Sequence, residues 1–233
     1  MNSIKDIKYA FYINLSSRPD RKMHVETQME QMGISATRFN AIRTKNGAIG
    51  CSLSHLQCLT NAKNSGWPHV LIAEDDVQFL DPELLKKQLS TFFCSNREWD
   101  VLLLGGNNAP PYEAVDDTCV KVGSCQTTTC YLVKCHYYDT LIDNYRKGIE
   151  NLVKNPEQHS FYAIDKFWFH LQKKDNWFLI IPLTVTQKED YSDIEKRYTN
   201  YTKSMLDLDK KNYIITNTNS FQREKYVPKL SFL

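Results

Sequence analysis

VLIAEDDVQF, residues 70 to 79, is the stretch on which the reading of this chain turns. Val70 to Ala73 form a short continuous apolar run, the pattern of a strand buried on both faces. The run ends in three consecutive carboxylates, Glu74, Asp75 and Asp76, before the chain turns apolar again. Like charges side by side repel, and burying one ionised carboxylate is costly unless it is paired or metal-bound. Acids solvated at the strand end or paired to lysines are one reading. A hard divalent cation held by oxygen ligands is the other. Residues 74 and 76 project to one side of an extended chain, so a Glu-x-Asp pair can share an ion.

Outward from this stretch, strands and helices alternate. Tyr9 to Leu15 is an apolar and aromatic run, hence a buried strand. Ser17 and Pro19 then start a helix that carries Val25, Met29 and Met32 on one face and ends at Gly33. A second extended piece covers Thr37 to Ile42, and a helix runs from about Ser52 to Asn64. Asp81-Pro82-Glu83 opens another helix, with a capping side chain and proline in the first turn. WDVLLLGG at 99 to 106 reads as a strand ending in two glycines, and 107 to 117 as a loop. Strands at 120–123 and 128–134, helices at 137–153 and 164–173 and a strand at 177–185 complete the pattern. Continuous rather than alternating apolar strands favour a mostly parallel central sheet flanked by helices, an α/β fold. Ligands of such sheets bind beyond the strands' carboxyl ends, where the acidic knot, Asn14 and Gly105-Gly106 are expected.

Composition narrows the function. The 233 residues suit one core, and 42% hydrophobic with 24% charged residues is ordinary for a globular chain. A net charge of +2 without a long basic run argues against nucleic acid. The first residues lack a signal peptide's apolar core, and no stretch of about 18 apolar residues exists to span a bilayer. A cytoplasmic location is the resulting expectation. The seven cysteines are odd in number and lack CxxC spacing, so they read as reduced, mostly buried thiols, with a Cys119–Cys125 disulfide left open. The cation reading points to Mn²⁺ or Mg²⁺ serving phosphate oxygens, hence to a nucleotide-type ligand.

Three blocks, YINLSSRPDRK at 12–22, GAIGCSLSHL at 47–56 and VLIAEDDVQF at 70–79, resemble glycosyltransferase family 25 in order and spacing. WDVLLLGG, TTTCYLVK, AIDKFWF and QKEDYSDI resemble its later blocks, so the likeness covers about residues 9 to 195. The resemblance implies a GT-A-like nucleotide-sugar-binding fold over 1–195, with a polar segment, 196–233, packed on or beside it. It implies inverting transfer of galactose or glucose from a UDP-sugar to a glycan, glycolipid or glycoprotein hydroxyl. Asp76 and Glu74 become the metal residues. Asn14, Leu15, Arg18, Arg21, Ser54, His55, Glu74, Asp75, Gln187 and Ser192 become the donor-binding set.

An inverting transfer needs a general base, for which Asp165 is the first choice and Asp193 a reserve beside Asp190. Asp165 also reads as a plain helix cap, Arg18 and Arg21 as surface charges, and His55 as a packing histidine. Tyr112, Trp168 and Trp177 are aromatic platforms for sugar rings or else core side chains. The family block around 127–130 often carries a histidine that this chain lacks, and no histidine follows His170 to serve as a further metal ligand. A metal-dependent phosphohydrolase using the same carboxylates, or a sugar-nucleotide-binding protein without turnover, are the alternatives.

Overall fold

The computed structural model describes residues 1–211. Twelve strands are formed: β1 Ala10–Asn14, β2 Thr37–Asn40, β3 His69–Glu74, β4 Val77–Phe79, β5 Val101–Asn108, β6 Glu113–Ala114, β7 Cys119–Lys121, β8 Cys125–Lys134, β9 Trp177–Ile180, β10 Val185–Gln187, β11 Asp190–Ser192 and β12 Arg197–Thr199. The helices are α1 Pro19–Met32, α2 Gly47–Asn64, α3 Pro82–Cys94, α4 Tyr138–Lys154, α5 His159–Tyr162, α6 Ile164–Phe167, α7 Phe169–Lys174 and α8 Thr202–Met205.

Eight strands form one sheet in the order β2-β1-β3-β8-β5-β9-β7-β6. The pairings make β1, β2, β3, β5, β9 and β6 run one way, with β8 and β7 against them. The sheet is therefore mostly parallel, as the continuous apolar strands lead one to expect. Successive residues of each central strand enter opposite cores. Leu71, Ala73, Leu102 and Leu132 face the side covered by α1 and α3. Val70, Ile72, Leu103 and Tyr131 face α2, α4 and α7. With both faces covered there is no polar position for alternation to mark. Burying such a side chain contributes roughly 1.5–3 kcal/mol, so the four apolar residues before the acids anchor the acidic turn rigidly.

Several boundaries differ from the sequence reading, each for a local reason. The cap of α1 is Arg18 rather than Ser17, with Pro19 at the first helical position. α2 starts at Gly47 instead of Ser52, because the Asn46 side chain accepts from the Ala48 and Ile49 amides. The Gly105-Gly106 pair lies inside β5 and not at its end. A Cβ on Gly105 would meet the Val185 side chain at 2.8 Å, so Gly105 lets β10 pass close over β5, while Gly106 makes room for Cys125. The segment 177–185 is no single strand, since a cis Ile181–Pro182 bond separates β9 from β10.

Trp168 and Trp177 are fully buried and stack edge to face within the core, which removes them as sugar platforms. All seven cysteines are free thiols, so Cys119 and Cys125 are unlinked. Beyond residue 196, β12 pairs with β11 in a separate hairpin and α8 packs against β5 and β10, with Met205 buried, while 212–233 lie outside the described residues. Among the described residues no helix is long and apolar enough to cross a membrane.

Candidate active site

β1 and β3 are adjacent parallel strands, so Asn14 and Glu74 end on the same edge of the sheet. β8 runs antiparallel beside β3 and brings Thr128 there as well. A cleft of about 1170 Å³ opens over this edge. Its walls include Leu15, Arg21, Ser54, His55, the three acids, Asp165, Gln187, Ser192 and Asp193. Asn14 and Arg18 support it from behind. Asn14 is buried and donates to Asp75 Oδ2 at 2.7 Å and to the Arg18 carbonyl at 3.0 Å.

The three acids have different surroundings. Glu74 Oε1 accepts from Thr128 Oγ1 at 2.5 Å and from His55 Nε2 at 3.3 Å, while Oε2 accepts from Gln187 Nε2 at 3.0 Å. Burial opposes ionisation of Glu74, but the bonds from His55 and Thr128 outweigh it and hold the carboxyl below its usual range. Burial raises the Asp75 carboxyl, against the pull of Arg21 and Asn14. Asp76 is pushed up to about 8, by burial and then by the Glu74 charge. Its Oδ2 accepts from Arg21 at 3.2 Å, whereas its buried Oδ1 has no hydrogen-bond partner among the described residues.

That orphaned oxygen tests whether the site suits a cation. A buried carboxylate oxygen without a donor costs free energy in the protein alone, and a divalent cation removes the cost. The donor set around it, carboxylates with a carboxamide nearby, is of the hard-oxygen kind that Mn²⁺ and Mg²⁺ accept. The residues therefore fit the ion.

His55 is held from behind. Its Nδ1 lies 2.8 Å from the Tyr131 hydroxyl, which lies 3.1 Å from that of Tyr145. A neutral ring donating from Nε2 to Glu74 and accepting from Tyr131 satisfies every proton in this chain. Ser54 donates to the Gly50 carbonyl at 2.7 Å and accepts from the Ile42 amide at 2.9 Å, so it fixes the loop before α2.

Arg21 lines the far side of the cleft, with Arg18 behind it. β4 pairs with β10, placing Gln187 opposite Val77 and leading the chain back past the acids to the β11–β12 hairpin. Arg21 reaches Asp75 at 3.0 Å and Asp76 at 3.2 Å on one side, and Asp190 at 3.0 Å on the other. Arg18 binds Asp190 at 2.6 Å, Asp193 at 2.9 Å and Asp20 at 2.9 Å. Ser192 lines the cleft at the hairpin edge, and Ile194 packs over Gly47 at the start of α2.

Asp165 lies across the cleft, at the start of α6. Its Oδ2 accepts from the Thr127 amide at 3.1 Å, and burial raises its carboxyl, with Lys166 opposing. Thr127 itself has φ +72°, uncommon for a β-branched residue and found where tertiary structure overdetermines the backbone.

The structure thus gathers the candidate residues of six separate segments around one cleft. Two contributors escaped the sequence reading. Thr128 and Cys51 stand in the TTTCYLVK and GAIGCSLSHL blocks without an assigned role, yet both reach Glu74. The i, i+4 spacing of Cys51 and His55 on a helix was the available signal for the second.

No family model matches the chain. Among curated proteins it is 27% identical over 135 residues to the inactive glycosyltransferase 25 family member 3 of Mus musculus, covering 45% of this chain and 23% of that protein. It is 24% identical over 161 residues to a glycosyltransferase 25 family member of Drosophila pseudoobscura pseudoobscura, covering 54% of this chain and 26% of that one. The chain spans about a quarter of the length of these relatives, and the family resemblance of the sequence is borne out by them at low identity. Solved structures overlay loosely. A glycosyltransferase involved in glycosylation of the major capsid of PBCV-1 gives a TM-score of 0.42 at 11% identity, over 85% of this chain and 88% of that one. A Drosophila β1,4-galactosyltransferase 7 mutant in complex with manganese, UDP-Gal and xylobiose gives 0.40 at 10% identity, over 93% and 81%.

Proposed function

We propose that the chain is a metal-dependent glycosyltransferase that moves a hexose, galactose or glucose, from a UDP-sugar to an acceptor hydroxyl with inversion. The observation that carries this reading is the orphaned Oδ1 of Asp76, buried among carboxylates at the carboxyl ends of parallel strands. Relatives named as glycosyltransferase 25 family members support the class of reaction.

Asp76 and Glu74 would hold the cation, which when bound neutralises charge on the diphosphate of the donor. Every other part of the reading concerns the chain's own groups. Asn14 fixes Asp75, and Asp75 fixes the Arg21 guanidinium, whose planar fork suits phosphate oxygens. Arg18 shares that role from the adjoining turn. Leu15, Ser54 and His55 shape the floor, and Gln187 and Ser192 close the hairpin side.

Asp165 takes the proton of the acceptor hydroxyl as the new oxygen–carbon bond forms and the bond from the anomeric carbon to the phosphate oxygen breaks. Burial raises its carboxyl towards the range useful for a base. Asp193, tied to Arg18, is the second candidate for that proton. The acceptor would be a glycan, glycolipid or glycoprotein.

The test is titration of UDP into the protein with Mn²⁺, then with EDTA, and again for D76A. Binding that needs the ion and is lost in D76A supports the reading. Binding indifferent to both removes the metal assignment. Binding without transfer to any acceptor in a panel would leave a sugar-nucleotide-binding protein, and rapid donor hydrolysis without acceptor a phosphohydrolase.

A further inference from the structure

Cys51 and His55 are not needed to hold a hard cation at Asp76, yet both point at the same oxygen of Glu74. Cys51 Sγ lies 3.8 Å from Oε1 and His55 Nε2 lies 3.3 Å from it. The three ligand atoms fall within 4.8 Å of one another and line the cleft. We propose that Cys51, His55 and Glu74 form a second metal site, selective for a borderline transition cation such as Zn²⁺ and adjoining the hard-cation position at Asp76, with which it shares Glu74.

Two of the three edges are close to those of one face of a tetrahedron, and the third lies within 4.8 Å. Bonds of about 2.0–2.1 Å to nitrogen and oxygen and about 2.3 Å to sulfur give N···O edges of about 3.3 Å and S···O edges of about 3.5 Å. The observed separations match the first and exceed the second by a small side-chain rotation. The fourth position faces the cleft, open to water or a ligand.

Ligand type and charge point the same way. Thiolate with imidazole selects Zn²⁺ and its neighbours over Mg²⁺ or Mn²⁺. One divalent ion with one thiolate and one carboxylate sums to zero charge, the favourable state at a site where His55 is fully buried. Outer partners are already in place. Tyr131 meets Nδ1 of His55, and Thr128 meets the Glu74 oxygen that would ligate. On binding, Cys51 gives its thiol proton to solvent and the ring proton of His55 moves from Nε2 to Nδ1, where it donates to Tyr131. One proton leaves per ion bound. Glu74 would ligate this ion through Oε1 while Oε2 stays with Gln187; because the donor reading also assigns Glu74 to the hard cation, D76N, which leaves all three ligands of this site in place, tells the two positions apart.

The experiment uses Co²⁺ alone, titrated into the full chain carrying C94S and C135S, which removes the two exposed thiols. The expected result is a thiolate-to-cobalt charge-transfer band in the near ultraviolet that saturates at one equivalent, with the intense visible bands of a four-coordinate ion. An equivalent of Zn²⁺ should bleach both. Adding C51S should abolish the charge-transfer band and weaken Zn²⁺ binding at least about tenfold, while D76N keeps both. Absence of the band before C51S is introduced overturns the proposal, whether or not that variant folds. A band unchanged by C51S, or one lost in D76N, overturns it as well.

Discussion

Arg21 and Asp190 are joined at 3.0 Å across the gap between the first helix and the β11–β12 hairpin, 169 residues apart in sequence. The same guanidinium carries Asp75 and Asp76 on its other side, so one half-buried cation ties the acidic turn to the hairpin. The pairing also explains why Asp190 can stay ionised. Burial opposes its charge, but the Tyr191 amide and Arg21 keep the carboxyl below its usual range.

Removing this cation leaves acids without compensation. R21A is expected to destabilise the protein by about 3–5 kcal/mol, the cost of breaking a buried ion pair from one side. Urea unfolding monitored by circular dichroism measures it. A loss below about 1 kcal/mol would mean that the network is solvated and adds little.

Asp76 is predicted to behave in the opposite way. Its carboxyl is pushed up to about 8 by burial and the Glu74 charge, so at neutral pH the group is a burden on the metal-free fold. D76N should therefore melt no lower than the unaltered protein without metal, while losing ion-dependent UDP binding. Thermal unfolding with and without Mn²⁺ separates the two effects. A melting point lowered in EDTA would show that Asp76 stabilises the fold by itself.

Asp165 gives the pH dependence. Its folded carboxyl is raised above the ordinary value of 3.8, so the folded state keeps the proton to higher pH than the unfolded chain does. The contribution of this group to stability is complete below the unfolded value. It falls as pH rises through the raised folded value, then levels. D165N removes that slope, so its melting point should gain on the unaltered protein across this window. Transfer should fall by about 10²–10⁴ with UDP binding intact, as for loss of a general base. Equal turnover in D165N would move the role to Asp193.

The central layer of this fold was legible because its physics is local. Val70–Ala73 and Val101–Leu104 are apolar without a break, and only strands covered on both faces need that. Asp81 and Pro82 marked the start of α3 through capping, and Gly33 the end of α1 through its left-handed φ of +70°. The start of α2 is set by the Asn46 cap, whereas the apolar periodicity that marks the helix in the sequence begins only at about Ser52. The site was legible only where residues of one chemistry sit together in sequence, as in Glu74 to Asp76. Thr128 reaches Glu74 only because β8 runs antiparallel beside β3, a pairing with no signature in either strand. The two tryptophans had no local signal either, since core and sugar platform draw on the same side chain.

The crossing of β10 over β5 links packing to chemistry and can be tested apart from any ligand residue. Gly105 has no room for a side chain, because a Cβ there would stand 2.8 Å from Val185 Cβ and 3.0 Å from the Val185 carbonyl oxygen. Val185 pairs with Phe79 and, two residues on, Gln187 pairs with Val77, beside the acidic turn. G105A must therefore push β10 outward or strain the sheet, at a cost of about 1–3 kcal/mol for overpacking a filled core. The displacement would carry Gln187 away from Glu74, with which it now bonds at 3.0 Å. G105A is expected to fold with a lower melting point and to bind UDP more weakly, although residue 105 offers no group to the nucleotide. A second change, V185A, deletes Cγ1, one of the three Val185 atoms that the new methyl meets, and so relieves part of the clash. The double variant should recover binding more than the sum of the single effects allows, which a double-mutant cycle on UDP affinity would measure. Strict additivity would show that β10 is not held in place by its passage over Gly105.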